Sequence, residues 1–222
     1  MKHVLEVDSV QKTLGHKKVL SDVFLKCETG EVIGLLGRNG SGKSTLLKII
    51  FGLVAADEKF IRIDWKTKYK TSELLKEVSY LSQNHFIPKH FTVKKAIALT
   101  VEKSRRSTFN TDAFLQGLLD KKIDRLSTGE LRYLEIKLVL SSASKFALLD
   151  EPYNGLSPLM LEQVNQLITD ATQHKGIIIT DHNYRNVLKI STRLILMKDG
   201  KTYHLKNQQE LIERGYLMEG ML

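Results

Sequence analysis

The stretch Gly37-Arg38-Asn39-Gly40-Ser41-Gly42-Lys43-Ser44-Thr45 constrains this chain more than any other. It fits the phosphate-loop spacing G-x-x-x-x-G-K-[ST] through Gly37, Gly42, Lys43 and Ser44. Glycines let a backbone curl until its N–H groups converge on a phosphate. A lysine adds a point charge on the β and γ phosphates, and a serine hydroxyl can hold Mg²⁺. The flanks agree with that reading. Val32-Ile33-Gly34-Leu35-Leu36 is an apolar run suited to a buried parallel strand, and Lys43 to Phe51 has the spacing of the helix that leaves the loop. The helix N-terminus then also faces the anion.

With 222 residues, 42% of them hydrophobic and 27% charged, the chain has the length and composition of a folded core. No apolar run is long enough to span a bilayer, and Met1 to Val10 lacks the hydrophobic region of a secretory signal. Cys27 is the only cysteine, which excludes an internal disulfide and a cysteine zinc cluster and suits a reduced, intracellular setting. The net charge of +9 is uneven: between Lys59 and Lys122 there are 14 Lys plus Arg against 6 Asp plus Glu, a local +8. A basic region of this kind meets nucleic acid, an anionic membrane surface or an acidic protein, or is a solvated face.

The rest of the chain alternates strands with helices, the pattern of an α/β parallel sheet. Strands are expected over 4–7, 19–27, 60–64, 78–81, 146–149 and 176–180. A hairpin is expected from 194–197 and 202–205 across Asp199-Gly200. Helices are expected over 130–140, 159–172 and near 208–214, with helical spacing also running from about Thr92 to Asp120. Leu148-Leu149-Asp150-Glu151 ends an apolar strand with two acids, where an open α/β sheet binds its ligand. Asp150 there suits the Mg²⁺ shell. Glu151, facing away by strand alternation, suits a base beside the attacking water. His182 follows the strand 177–180 and would reach the same edge, as would Gln83 after 78–81.

Gly37–Thr45, Gln83, Leu126-Ser127-Thr128-Gly129-Glu130, Leu148–Glu151 and His182, in this order, resemble the motifs of ATP-binding cassette (ABC) ATPases. They correspond to that family's phosphate loop, glutamine loop, signature, second acidic motif and switch histidine, and the match runs from about Lys2 to Arg214. The resemblance implies an ABC nucleotide-binding domain: a P-loop NTPase core with a mainly parallel sheet, an N-terminal antiparallel β subdomain and an inserted helical subdomain. Residues 1–222 would form this single domain, with the insertion at approximately 84–128.

The resemblance further implies ATP as substrate with Mg²⁺, held by Gly37, Arg38, Asn39, Gly40, Ser41, Gly42, Lys43, Ser44 and Thr45. Glu151 would be the general base, Gln83 would sense Mg²⁺ and the attacking water, and His182 would hold the γ-phosphate. Ser44, Gln83 and Asp150 would face the metal. In the family two cassettes pair head to tail, so Ser127 and Gly129 would act across a homodimer on the partner's nucleotide. Three residues depart from the family pattern: Leu14 replaces a stacking aromatic, Thr128 a glycine, and Ser157 an aspartate. Arg132–Ile136, Glu151–Gly155 and Thr180–Asn183 look like the ATPase branch of lipopolysaccharide export; branched-chain amino-acid importers share some of this pattern, and the Asp-His-Asn step favours the first group.

As such a subunit, the chain would sit on the cytoplasmic face of the cell membrane through a separate transmembrane permease, with no direct nucleic-acid contact. Asn84 to Leu99, where Phe86, Ile87, Pro88, Phe91 and Val93 mix with Lys89, His90, Lys94 and Lys95, would receive the permease. The alternative is a soluble cassette ATPase acting in iron–sulfur assembly or on nucleic acid.

Overall fold

The computed structural model describes residues 2–221. Its strands form one curled, mixed sheet in the order β5-β4-β1-β2-β10-β9-β3-β8-β7-β6. The parallel part comprises β6 (Val78–Leu81), β7 (Phe146–Asp150), β8 (Gly176–Thr180), β3 (Val32–Leu36) and β9 (Arg193–Lys198). β10 (Lys201–Leu205) turns back antiparallel to β9 across Asp199-Gly200, as the sequence predicts. The N-terminal part is antiparallel: β1 (Val4–Leu14), β2 (Lys17–Glu28), β4 (Glu58–Ile63) and the short β5 (Lys66–Thr67). A single parallel bridge, Lys201 with Asp22, joins the two parts.

The central strands are apolar without interruption because both of their faces are covered. Along β3, Val32 and Leu36 enter one core while Ile33 and Leu35 enter the other. β7 divides in the same way, Ala147 and Leu149 against Phe146 and Leu148. The second core encloses α1 (Lys43–Phe51), which buries Leu46, Leu47, Ile49 and Ile50 beneath the antiparallel strands. The first core is covered by α5 (Thr128–Leu140), α6 (Pro158–Ala171) and α7 (Tyr184–Ile190).

The helical spacing across 92–120 resolves into less helix than expected. Only α3 (Val93–Thr100) and the four-residue α4 (Ser107–Asn110) are α-helical. Phe109 is buried from α4, whereas Leu115 and Leu118 are buried from turns. Asp112 organises those turns, accepting from the backbone of Phe114 (2.9 Å) and Leu115 (3.2 Å). Its other oxygen binds Tyr133 (2.8 Å) and Lys137 of α5, which fastens the segment to that helix. Two further helices, α2 (Thr71–Glu77) and α7, have no counterpart among the sequence expectations, since α2 fully buries only Leu74 and α7 only Val187.

Candidate active site

The phosphate loop leaves the C-terminal end of β3, between β8 and β9, so it opens where neighbouring parallel strands also end. Gly42 caps α1 at φ 103°, and a Cβ there would lie 2.7 Å from Leu20 Cδ2. Both facts require glycine at that position. Lys43 Nζ lies over the loop and donates to the carbonyls of Gly37 (2.7 Å) and Arg38 (3.2 Å). Burial lowers the pKa of this amine, while the charges of Glu151 and Asp150 oppose the shift.

Ser44, the next residue on α1, donates to Asp150 Oδ1 at 2.9 Å. Tyr80 on β6 donates to the other oxygen of the same carboxylate at 3.0 Å. Burial pushes the Asp150 carboxyl up, and the bonds from Ser44 and Tyr80 pull it back. Asp150 and Ser44 supply adjacent hard oxygen donors beside a loop built for phosphate. A single carboxylate and a hydroxyl suit Mg²⁺, which takes the rest of its octahedron from phosphate and water. Within the loop Ser41 Oγ is buried without a hydrogen-bond partner, a polar atom left open to a bound ligand.

Glu151 faces away from Asp150, but for a different reason than strand alternation. β7 ends at Asp150, and Glu151 turns into the left-handed region at φ 52°. Such a conformation costs on the order of 1–3 kcal/mol and persists only when its surroundings fix it. The Glu151 N–H donates to Thr180 O at 2.7 Å, and its carbonyl accepts from Arg132 Nη2 at 2.7 Å. The carboxylate then meets two residues from separate strand ends. Gln83 Nε2 donates to Oε2 at 2.7 Å, and His182 Nε2 lies 3.2 Å from the same oxygen.

These groups line one cleft of about 440 Å³ with Leu14, Val19, Asn39, Gly40, Gly42 and Thr45. Half-exposed Leu14 and the neighbouring Val19 make its mouth aliphatic. A larger cleft of about 570 Å³ on the loop's other flank holds Lys17, Lys18, Arg38 and Lys198 but not Gln83, Glu151 or His182. Arg38 and Lys198 are engaged there in holding the C-terminal turn, through Gly215 O (3.2 Å) and Arg214 O (2.9 Å). The chemistry therefore belongs to the smaller cleft.

Ser127 and Gly129 do not line that cleft. Ser127 is the N-cap of α5: its Oγ accepts from Glu130 N (3.2 Å), and Glu130 Oε2 accepts from Ser127 N (2.7 Å). Thr128 starts the helix without a positive φ, so the turn needs no glycine at that position. Gly129 sits in a tight space, where a Cβ would lie 3.0 Å from Gly155 O and from Met160 Sδ. Ser157 has a clear local role as the N-cap of α6, with Pro158 in the first turn.

Arg132 and Tyr80 are the site residues that motif reading passes over. Arg132 is buried on α5 and reaches three carbonyls, those of Ser82 (2.7 Å), Asp150 (2.8 Å) and Glu151 (2.7 Å). Its guanidinium also lies 3.5 Å from buried Glu135, which accepts from Phe86 N and His85 Nδ1 at 2.9 Å each. One side chain thus joins the helix of Ser127 to the approaches of both Gln83 and Glu151. The signal for it was a cation one helical turn from Gly129, on the face that also carries Glu135.

Comparison with known proteins agrees with this geometry. A family model described as "ABC transporter" matches residues 20–154. The chain is 31% identical to the lipopolysaccharide export system ATP-binding protein LptB of Acidithiobacillus ferridurans, over 96% of this chain and 94% of that protein. It is 30% identical to LptB of Haemophilus influenzae, covering 97% and 98% respectively. Among solved structures, a nucleotide-free ATP-binding cassette from an ABC transporter superposes with a TM-score of 0.79 at 24% identity, over 95% of this chain and 94% of that one. The fold, the motif order and these likenesses together make the chain a member of the ABC transporter family, an ATP-binding cassette ATPase.

Proposed function

We propose that this chain hydrolyses ATP as half of a head-to-tail homodimer and so drives a separate membrane permease. The carrying observation is the meeting of Gln83, His182 and Glu151 at one oxygen inside the cleft that the phosphate loop lines. Backbone N–H groups of Gly37 to Thr45 and the Lys43 ammonium would hold the triphosphate. Ser44 and Asp150, with Gln83 nearby, would hold Mg²⁺, which supplies charge neutralisation on the β and γ phosphates. Glu151 would accept the proton of the attacking water. Gln83 and His182 hold that carboxylate between them and would turn to the water and the γ-phosphate respectively.

The half-site character of the cleft supports the dimer. Ser127 lies exposed at the start of α5, outside the cleft of its own chain. A helix N-terminus with a serine cap suits an anion brought by another subunit. The segment over 84–128 would be the inserted subdomain that carries this serine.

Among the described residues no helix is long and apolar enough to cross a membrane, which supports a permease on another chain. The near-complete mutual coverage with two LptB proteins supports a place beside the lipopolysaccharide-export branch. For the permease contact, the structure redirects the expected segment. Ile87 and Val93 are buried and Phe91 is half-buried, whereas exposed Phe86 lines an apolar groove of about 510 Å³ with Phe51, Leu75, Tyr80, Thr100 and Leu138. We assign that groove, at the cytoplasmic face of the membrane, to the permease.

The deciding experiment is Glu151→Gln. Hydrolysis should fall about 10²–10⁴-fold while ATP still binds, and the variant should elute as an ATP-dependent dimer. Turnover at the parent rate would remove Glu151 from the role of base.

A further inference from the structure

We propose that the β4–β5 hairpin tip and the segment that runs from it to α2 are a membrane-surface anchor, in which Trp65 and Tyr69 enter the headgroup layer of anionic lipid beside Lys66 and Lys70. Trp65 is 76% exposed and Tyr69 82% exposed. They alternate with cations in Trp65-Lys66-Thr67-Lys68-Tyr69-Lys70. Water gains nothing from such rings, whereas a bilayer interface takes their apolar bodies and polar edges together. Lysines beside them add attraction to anionic headgroups.

The backbone carries an independent sign. Ile63 pairs with Lys66, so Asp64 and Trp65 form a two-residue turn with both φ values positive, at 51° and 66°. That turn favours glycine at its second place. The chain's other hairpin of this kind, Asp199-Gly200, has glycine there. Here the largest side chain is held in the strained conformation with most of its surface in water. A bulky residue at positive φ points to use rather than packing.

The local acids do not cancel the charge. Asp64 is taken by His3 (2.8 Å), Val4 N (3.0 Å) and Lys145 (3.0 Å). Glu73 caps the backbone of Tyr69 and Lys70, and Glu77 is shared by Lys145 and Lys68. Among the described residues neither Lys66 nor Lys70 makes a close ion pair, although the charge of Glu73 lies near Lys70. A single-stranded nucleic acid is the competing polyanion, but it is held in a groove that follows its backbone, and Trp65 stands at the apex of a tight turn.

Position agrees, on the reading that the groove containing Leu75 and Phe86 receives the permease. Asp64 at the tip binds Lys145, and Lys145 binds Glu77 at 3.1 Å. Glu77 ends α2, whose Leu75 and Lys76 line the groove. Tip and groove rim are thus tied together, and a permease seated in one would bring the other to the lipid.

Trp65 is the only tryptophan, so the full chain carries its own probe. Vesicles of equal phosphatidylglycerol and phosphatidylcholine should shift its emission to the blue and shield it from acrylamide, reversibly with salt. Phosphatidylcholine alone should do neither. Lys66→Glu with Lys70→Glu, and separately Trp65→Gly with Tyr69→Ala, should sediment with the anionic vesicles roughly tenfold more weakly. Free ATPase activity should be unchanged, and Trp65→Gly should melt no lower than the parent. Emission unmoved by anionic vesicles, equal sedimentation of the variants, or a response to a single-stranded oligonucleotide in place of vesicles would overturn the anchor. Phe86→Asp keeps the two readings apart: it should end permease co-purification and leave vesicle binding intact.

Discussion

Replacing Arg132 with methionine tests whether the two halves of the cleft are joined through one buried guanidinium. The substitution preserves length and apolar stem but leaves the carbonyls of Ser82, Asp150 and Glu151 without their charged donor. It also leaves Glu135 buried with only His85 and the Phe86 N–H. Breaking a buried ion pair costs about 3–5 kcal/mol, and hydrogen bonds from a charged donor contribute about 1.5–3 kcal/mol each. These overlap, so the expected loss is about 4 kcal/mol, a large part of the roughly 5–15 kcal/mol that holds a domain. Urea denaturation reads that loss, and a cycle with Glu135→Met should recover about 2 kcal/mol of coupling. ATP turnover should fall while nucleotide binding survives, because Lys43 and Ser44 are untouched. A variant within about 1 kcal/mol of the parent, with normal turnover, would refute the reasoning.

Lys43→Ala should abolish ATP binding, measured by equilibrium dialysis; retained binding would remove the phosphate-loop assignment. Lys175 gives a pH signature: burial and the nearby Arg105 bring its amine down to about 8 from 10.5. The unfolded chain therefore holds more protons between those values, so this group adds stability as pH rises through that window and none of the gain is present below it. The parent should gain on the order of 1–3 kcal/mol relative to Lys175→Met between those limits, and parallel melting profiles would contradict the shift. Glu130→Gln should tighten ATP-driven dimerisation roughly two- to tenfold in analytical ultracentrifugation, since a neutral amide still caps Ser127 but no longer repels phosphate. Weaker dimerisation would show that the carboxylate assists it.

The sequence announces features that are local and chemically narrow. The phosphate loop needs glycines and a lysine within a few residues. The central strands, covered on both faces, can only be apolar runs, and their ends locate Asp150, Glu151 and His182 at one edge. Asp199-Gly200 declares its hairpin for the same reason. Features set by distant partners were not legible. Leu115 and Leu118 lie in a stretch of helical spacing, yet Asp112, Tyr133 and Lys137 hold that stretch in turns. The turn of Glu151 to φ 52° depends on Thr180 and Arg132, far away in sequence. Asp64-Trp65 hides its hairpin because tryptophan occupies the place where glycine would have marked it.

The reciprocal cap of Ser127 and Glu130 has a consequence for the proposed dimer cycle. In the single cassette this helix start already holds an anion, the carboxylate of Glu130, which accepts from Ser127 N. Pairing is then an exchange of one anion for another rather than the filling of a void. A weakly charged visitor gains little by displacing the resident, whereas a triphosphate carrying its full charge does. On the proposed dimer, Glu130 would work as a threshold, making closure sensitive to whether the terminal phosphate is still attached.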